Sequence, residues 1–210
     1  MKRTETYLLN MGPQHPSTHG VLQVKLTLDG ERIVKAEPVL GYLHRGIEKL
    51  LESRTYVQGL PYTDRLDYVS SMNNNFGFAR AVEELAGLEV PRRAEFIRVI
   101  MAELNRINSH LVGIGSLAND LGASTGMLYC FRDREYILDV FNEVCGARQT
   151  FHYIRIGGVS GEFTDKARAL TERFLERVPR FLAEYDKLLT GNEIFRRRIV
   201  GISPMTQEEA

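Results

Sequence analysis

The sequence predicts an α+β protein in which a small N-terminal antiparallel β-sheet or hairpin precedes a helical bundle. Three observations lead there. Alternation of apolar and polar residues is concentrated near the N-terminus, and from about residue 42 the apolar residues recur at helical steps of three and four. The 210 residues are 43% apolar and 26% charged, a composition that can bury a core. The expected division is residues 1–41, a loop and hairpin, and residues 42–210, the bundle.

Each element follows from local pattern. Leu22, Val24, Leu26 and Leu28 alternate with Gln23, Lys25 and Thr27, Asp29-Gly30 is a turn signal, and RIVKAEPVLG has strand composition. A hairpin is therefore expected from Val21 to about Val39. YLHRGIEKLLES reads as a short helix despite Gly46, and Pro61 is expected to precede a second helix ending near Leu85. The clearest helix starts near Pro91. Its apolar residues Phe96, Ile100, Leu104, Ile107, Leu111, Ile114, Ala118 and Leu121 step by four and three, forming one stripe. Near its end Gly113, Gly115, Ser116 and Ala118 would admit a closely packed neighbour. Further helices are expected over about Phe131 to Cys145 and over Thr164 to Leu189. The latter places Ala167, Leu170, Phe174, Val178, Phe181, Tyr185 and Leu188 on one side, with a kink at Pro179.

Charge and composition exclude several classes. Lys plus Arg and Asp plus Glu are 27 each, which removes the electrostatic case for general nucleic-acid binding. The least charged stretch, Leu111 to Leu128, is interrupted by Asn119 and Asp120, so no membrane span is expected. The start MKRTETYLLNMGPQHP has neither an apolar signal region nor a presequence pattern, which points to a cytoplasmic, soluble or peripheral protein. Cys130 and Cys145 lack a CxxC spacing and read as buried free thiols, not as ligands of an iron-sulfur cluster or structural zinc. GIGSLA, Gly113 to Ala118, matches a dinucleotide fingerprint but lies in a helix-periodic run and not after a strand, so any NADH binds another chain.

One loop carries chemistry. In GPQHPSTHG, Gly12 to Gly20, Pro13 and Pro16 forbid a helix, so His15 and His19 are not a helical metal-binding pair. Two histidines are half of a zinc shell. From the residues alone, a metal site, acid-base chemistry and a plain polar loop all remain open.

GPQHPSTHGVL, GYLHRGIEKL, YTDRLDYVS, LANDLGA, FRDREYILD and YIRIGGV occur in that order. Together they closely resemble the quinone-site subunit, the D or 49-kDa type, of proton-pumping NADH:quinone oxidoreductase, respiratory complex I. The resemblance covers essentially the whole chain but only the N-terminal half of the family, whose members are nearly twice as long, so a fragment or a split reading frame is expected. The family is similar to the large subunit of nickel-iron hydrogenases, which implies that fold. At the hydrogenase cysteine positions this chain has Asp67 and Ser70, so nickel binding is not expected and no metal is assigned. The alternative is a large subunit, or a scaffold fragment, of a membrane-bound hydrogenase-like complex.

The resemblance assigns residues. His19 and Tyr68 look like the head-group ligands of the quinone pocket, and Asp120 looks like the carboxylate that orients His19. Those residue types suit the chemistry, because histidine exchanges protons near neutrality and a neutral phenol donates a hydrogen bond to an oxygen gaining charge. His15 is read as shaping the pocket. Tyr68 could instead be core and Asp120 a helix-end residue. Arg65 resembles an arginine beside the terminal iron-sulfur cluster, which the family places in the neighbouring small (B-type) subunit; its alternative is a salt bridge with Asp64 or Asp67. Arg45 is a second cation of this kind. Where several members carry a cluster-facing histidine, this chain has Thr150, with His152 offset by two. This implies a lower, weakly pH-dependent cluster potential and a low-potential quinone such as menaquinone. The iron-sulfur small subunit and the C-, H- and I-type subunits are the implied partners, on the cytoplasmic side of a bacterial membrane.

Overall fold

The computed structural model describes residues 5–15 and 20–210; His19 lies outside the described residues. The chain divides into two compact units, Met1–Ser53 and Arg54–Ala210. The first is an antiparallel sheet of β1 (Tyr7–Met11), β2 (Gln23–Asp29) and β3 (Arg32–Val39), with β2 in the centre, followed by the short helix α1 (Ile47–Glu52). The β2–β3 hairpin is as the alternation predicts. It turns at Gly30, in the left-handed region at φ 61°, and pairs Asp29 with Arg32. Leu26 and Leu28 are the buried residues of its inner face. The strand β1 is not expected from the sequence, because Tyr7, Leu8 and Leu9 form an apolar run without alternation; it pairs Leu9 with Leu26 and Tyr7 with Leu28.

The second unit is helical: α2 (Tyr56–Thr63), a 3-10 turn at Tyr68–Ser70, α3 (Ser71–Ala86), α4 (Arg92–Asp120), α5 (Ser124–Cys145), α6 (Asp165–Tyr185) and α7 (Glu193–Ile199). A two-stranded ladder, β4 (Ile154–Arg155) with β5 (Gly158–Val159), stands between α5 and α6. The fold class is therefore α+β, as predicted. Pro61 does not precede a helix; it lies within α2. Thr55 starts that helix through a capping box, its hydroxyl accepting from the Gln58 N–H at 3.3 Å while the Gln58 side chain accepts from the Thr55 N–H at 3.2 Å. The helix α6 continues through Pro179, and a π-helical turn, Asp186–Thr190, follows it.

The core joins α3, α4, α5, α6 and the segment before β4. Met72, Met101, Ile137, Phe141, Phe151 and Phe174 are almost fully enclosed, with the Phe141 and Phe151 rings 4.4 Å apart at their centroids. The predicted side of α6 faces this core: Ala167, Phe174 and Phe181 are buried, and Leu170, Val178 and Tyr185 pack against it. The helix α4 is rotated relative to the expected stripe. Its buried residues include Ile97, Arg98, Met101, Leu104, Asn105, Asn108, Leu111, Gly115 and Ala118, whereas Phe96, Ile100 and Ile114 are exposed. At 3.6 residues per turn the buried face is roughly a quarter-turn from the apolar stripe. The cause is polar: Arg98, Asn105 and Asn108 have partners inside the unit and draw their side of the helix inward.

Close packing of α4 on α5 depends on Gly115. A Cβ there would sit 3.1 Å from the Cys130 Cβ and 3.4 Å from the Met127 Cα. Arg98 ties the β4–β5 turn to α3 and α4. Its guanidinium donates to both Glu83 carboxylate oxygens (2.5 and 3.0 Å), to the Arg155 carbonyl (2.5 Å) and to the Gly158 carbonyl (3.0 Å). Glu83 also accepts from the Gly157 N–H at 2.7 Å. A buried cation in such a position needs every one of these acceptors. On the other side of the core Tyr185 donates to the buried Asp133, which Arg132 also holds at 2.7 and 3.0 Å, linking α6 to α5.

Candidate functional site

In the first unit the histidine loop is closed at its base. Gly12 has φ 89°, and a Cβ there would fall 2.2 Å from the Leu22 carbonyl oxygen and 2.9 Å from the His15 ring. Only glycine fits that turn. The His15 Nε2 lies 3.2 Å from the same carbonyl oxygen. His15, Pro13, Gln14, Gly20, Val21 and Tyr42 line a cavity of about 420 Å³, and the Tyr42 hydroxyl donates to the Gln23 side chain at 3.0 Å. Arg45 is exposed just before α1.

In the second unit the segment between α2 and α3 holds two of the candidate residues, Arg65 and Tyr68. Asp64, nearly fully buried, accepts from the Asn75 amide, whose nitrogen also donates to Thr63 Oγ1 at 2.9 Å. The second Asp64 oxygen lies 3.7 Å from the Arg65 guanidinium and 3.5 Å from His152 Nδ1. Arg65 also donates to the Pro61 carbonyl at 2.9 Å. The salt-bridge alternative for Arg65 thus has a partner, Asp64, without removing the side chain from the surface. Arg155 contacts the other His152 nitrogen. Thr150 belongs to the same loop, which is pinned to the start of α3 by the Phe151 N–H donating to Ser71 Oγ at 3.1 Å. Arg65, Asp64, His152 and the Thr150 loop are therefore neighbours.

Tyr68 opens the 3-10 turn and keeps 45% of its surface exposed, so it is not a core residue. The turn beneath it is fixed. Asp67 caps it by accepting from the Val69 N–H at 3.3 Å. Two buried α4 amides, Asn105 and Asn108, donate to the Val69 carbonyl at 2.9 and 3.2 Å, and Asn105 accepts from the Met72 N–H at 2.9 Å. Asp120 is the exposed final residue of α4. It stands about 18 Å further along the helix axis than Asn108, at 1.5 Å per residue, so Tyr68 and Asp120 do not meet.

Sequence reasoning named Asp64 only as a possible partner of Arg65 and missed Asn75, Asn105 and Asn108, which with it hold this segment. The signal for the last pair was available: two asparagines one helical turn apart between the apolar Leu104, Ile107 and Leu111. Both cysteine thiols are pushed above their ordinary range by burial. Among the described residues, no group of three or more His, Cys, Asp or Glu side chains is placed to hold a metal ion, and no helix is long and apolar enough to cross a membrane.

Residues 120–210 match the family described as respiratory-chain NADH dehydrogenase, 49 Kd subunit. Along nearly its whole length the chain is similar to proteins named as the D subunit of NADH-quinone oxidoreductase. It is 55% identical to that of Desulforamulus reducens over 208 residues, covering 99% of this chain and 57% of the relative. With that of Clostridium beijerinckii the figure is 54% over 207 residues, covering 99% and 56%. With that of Geobacillus thermodenitrificans it is 52% over 210 residues, covering 100% and 57%. The chain belongs to this 49-kDa, D-type family, and it spans a little over half the length of these curated relatives.

Proposed function

We propose that the chain forms part of the quinone-reduction site in the peripheral arm of an NADH:quinone oxidoreductase, and that it is inactive alone. The observation that carries this reading is the 52–55% identity to D-type subunits over almost the entire chain. Its geometric support is Tyr68, exposed on a turn that two buried asparagines hold from below.

Converting a quinone to a quinol consumes two electrons and two protons. The electrons come from a terminal iron-sulfur cluster held by the neighbouring small subunit. This chain handles the oxygen atoms and the protons. His19 gives a proton to one head-group oxygen and recovers it near neutral pH. Tyr68 donates a phenolic hydrogen bond to oxygen as it gains charge. Asp120 orients His19 and couples its proton to the interior. His15 shapes the pocket, while Arg65 and Arg45 supply positive charge near the cluster. The C-, H- and I-type subunits are the further neighbours, on the cytoplasmic side of a bacterial membrane. A low-potential quinone such as menaquinone is the substrate that Thr150 favours.

The test is the assembled complex carrying Tyr68→Phe or His19→Ala, assayed with NADH and a quinone and, in parallel, with a soluble acceptor that takes electrons upstream of the quinone. Quinone reduction is expected to fall about 100-fold while the upstream activity is unchanged. Full quinone reductase activity in both variants would overturn the reading.

A further inference from the structure

His152 stands in the loop between α5 and β4, with a charged group against each ring nitrogen. Its Nε2 contacts the Arg155 guanidinium. A guanidinium only donates, so this nitrogen must offer its lone pair. An imidazole with one accepting nitrogen is neutral and carries its single N–H on the other, here Nδ1. The buried Nδ1 faces Asp64, whose Oδ2 is 3.5 Å away. That contact is about 0.5 Å longer than an ordinary N–H···O bond. Among the described residues Nδ1 has no shorter bond to another acceptor, so burial favours closing this one. Asp64 in turn needs the donor, because it is 1% exposed and a buried carboxylate is stable only among donors. One of its oxygens accepts from the Asn75 amide, and the other faces both the Arg65 guanidinium, at 3.7 Å, and His152. A neutral N–H leaves the charge of Asp64 to Arg65, whereas an imidazolium would compete for it.

Residues 65–70 are thereby held at both ends by one loop. His152 meets Asp64 just before them, and the adjacent Phe151 N–H donates to Ser71 Oγ just after them, at 3.1 Å. Arg65 and Tyr68 lie between these two ties. We propose that His152 is a positioning residue: neutral, with its proton on Nδ1, it anchors Asp64 and so fixes the turn from which Tyr68 reaches the quinone. The role rests on the proposed part of Tyr68 in quinone reduction; the tautomer does not.

The tautomer and the role are tested separately. In the 210-residue chain carrying isotope-labelled histidine, nitrogen–proton correlation spectra at about pH 8 should place the His152 proton on Nδ1. The His152→Asn spectrum identifies which ring is His152. A proton on Nε2, or on both nitrogens, would overturn the proposal. In the assembled complex, His152→Ala and His152→Gln should each lower kcat/KM for the quinone about tenfold, the effect of a slightly misplaced hydrogen-bond donor. Transfer from NADH to a soluble acceptor upstream of the quinone should be unchanged. His152→Asn should stay within about twofold of the parent, because its amide nitrogen can take the place of Nδ1, whereas the longer Gln carries its amide past that place. An Asn variant no better than Ala and Gln would mean that the Nδ1 donor is not what matters, and the proposal fails. Full activity in His152→Ala beside an impaired Tyr68→Phe sinks the role of His152 and leaves the quinone reading standing. Full activity in Tyr68→Phe removes the quinone reading itself, and with it the site to be positioned.

Discussion

Arg98 has no exposed surface, and its charge is met by two carboxylates: Glu83, fifteen residues earlier in the chain, at 2.5 Å and Glu95 at 3.3 Å. Burial pushes the Glu83 carboxyl upward, but the Arg98 hydrogen bonds, the Gly157 N–H and the charges of Arg98 and Arg80 outweigh it, leaving its pKa below the usual value of 4.5. The sign of the pH effect follows. A depressed folded-state pKa contributes stability above about pH 4.5, and that stability is lost as pH falls through the folded value. Glu83→Gln should cost about 3 kcal/mol at pH 7, because it leaves the buried Arg98 with only the longer Glu95 contact as counter-charge. It should also flatten the loss of stability between about pH 5 and 3, measured by urea unfolding at several pH values. A variant as acid-sensitive as the parent would show that Glu83 is not a principal acid-labile group. In sequence Arg98 resembles an ordinary polar-face residue of a helix. Apart from Glu95 one turn earlier, its acceptors are Glu83 and the carbonyls of Arg155 and Gly158, and no local pattern reveals those distant partners.

Among the elements, the hairpin and the long helices were legible because their periodicities are local. The face of α4 was not. Hydrophobic spacing selected Phe96, Ile100 and Ile114, whereas the buried side is set by Asn105, Asn108 and Arg98 reaching non-local partners. The strands β4 and β5 were missed because two-residue strands carry no period. The glycines near the end of α4 divide cleanly. Nothing lies within 4 Å of a Cβ at Gly113, while at Gly115 the α5 backbone and Cys130 crowd it. Gly113→Ala should therefore stabilise the chain by about 0.5–1 kcal/mol, the gain of alanine over glycine within a helix. Gly115→Val should destabilise it by about 1–3 kcal/mol through overpacking. Thermal unfolding of the two variants checks both signs; equal effects would mean that α4 and α5 do not pack closely here.

At the scale of the whole molecule, the proposed function has this chain act on a redox centre held by another subunit. The motif order made the family legible in sequence, and the residues that hold the site segment in place became visible only with tertiary contacts. Thr150 cannot accept a proton, and His152, the nearest histidine in its loop, already has Arg155 against one ring nitrogen and Asp64 3.5 Å from the other. On the proposed reading Thr150 faces the cluster of the small subunit, and its hydroxyl offers no base there when that cluster gains an electron. The midpoint potential of the cluster in the assembled complex is therefore expected to change little between about pH 6 and 8. Thr150→His adds an imidazole whose ordinary pKa, about 6.5, lies within reach of that range. If reduction then draws a proton to the new ring, the slope should steepen toward about 59 mV per pH unit, one proton per electron. Potentiometric titration followed by electron paramagnetic resonance of the cluster measures both slopes. A steep slope in the parent complex would mean that a group other than residue 150 already binds the proton, and an unchanged slope in Thr150→His would place this loop away from the cluster.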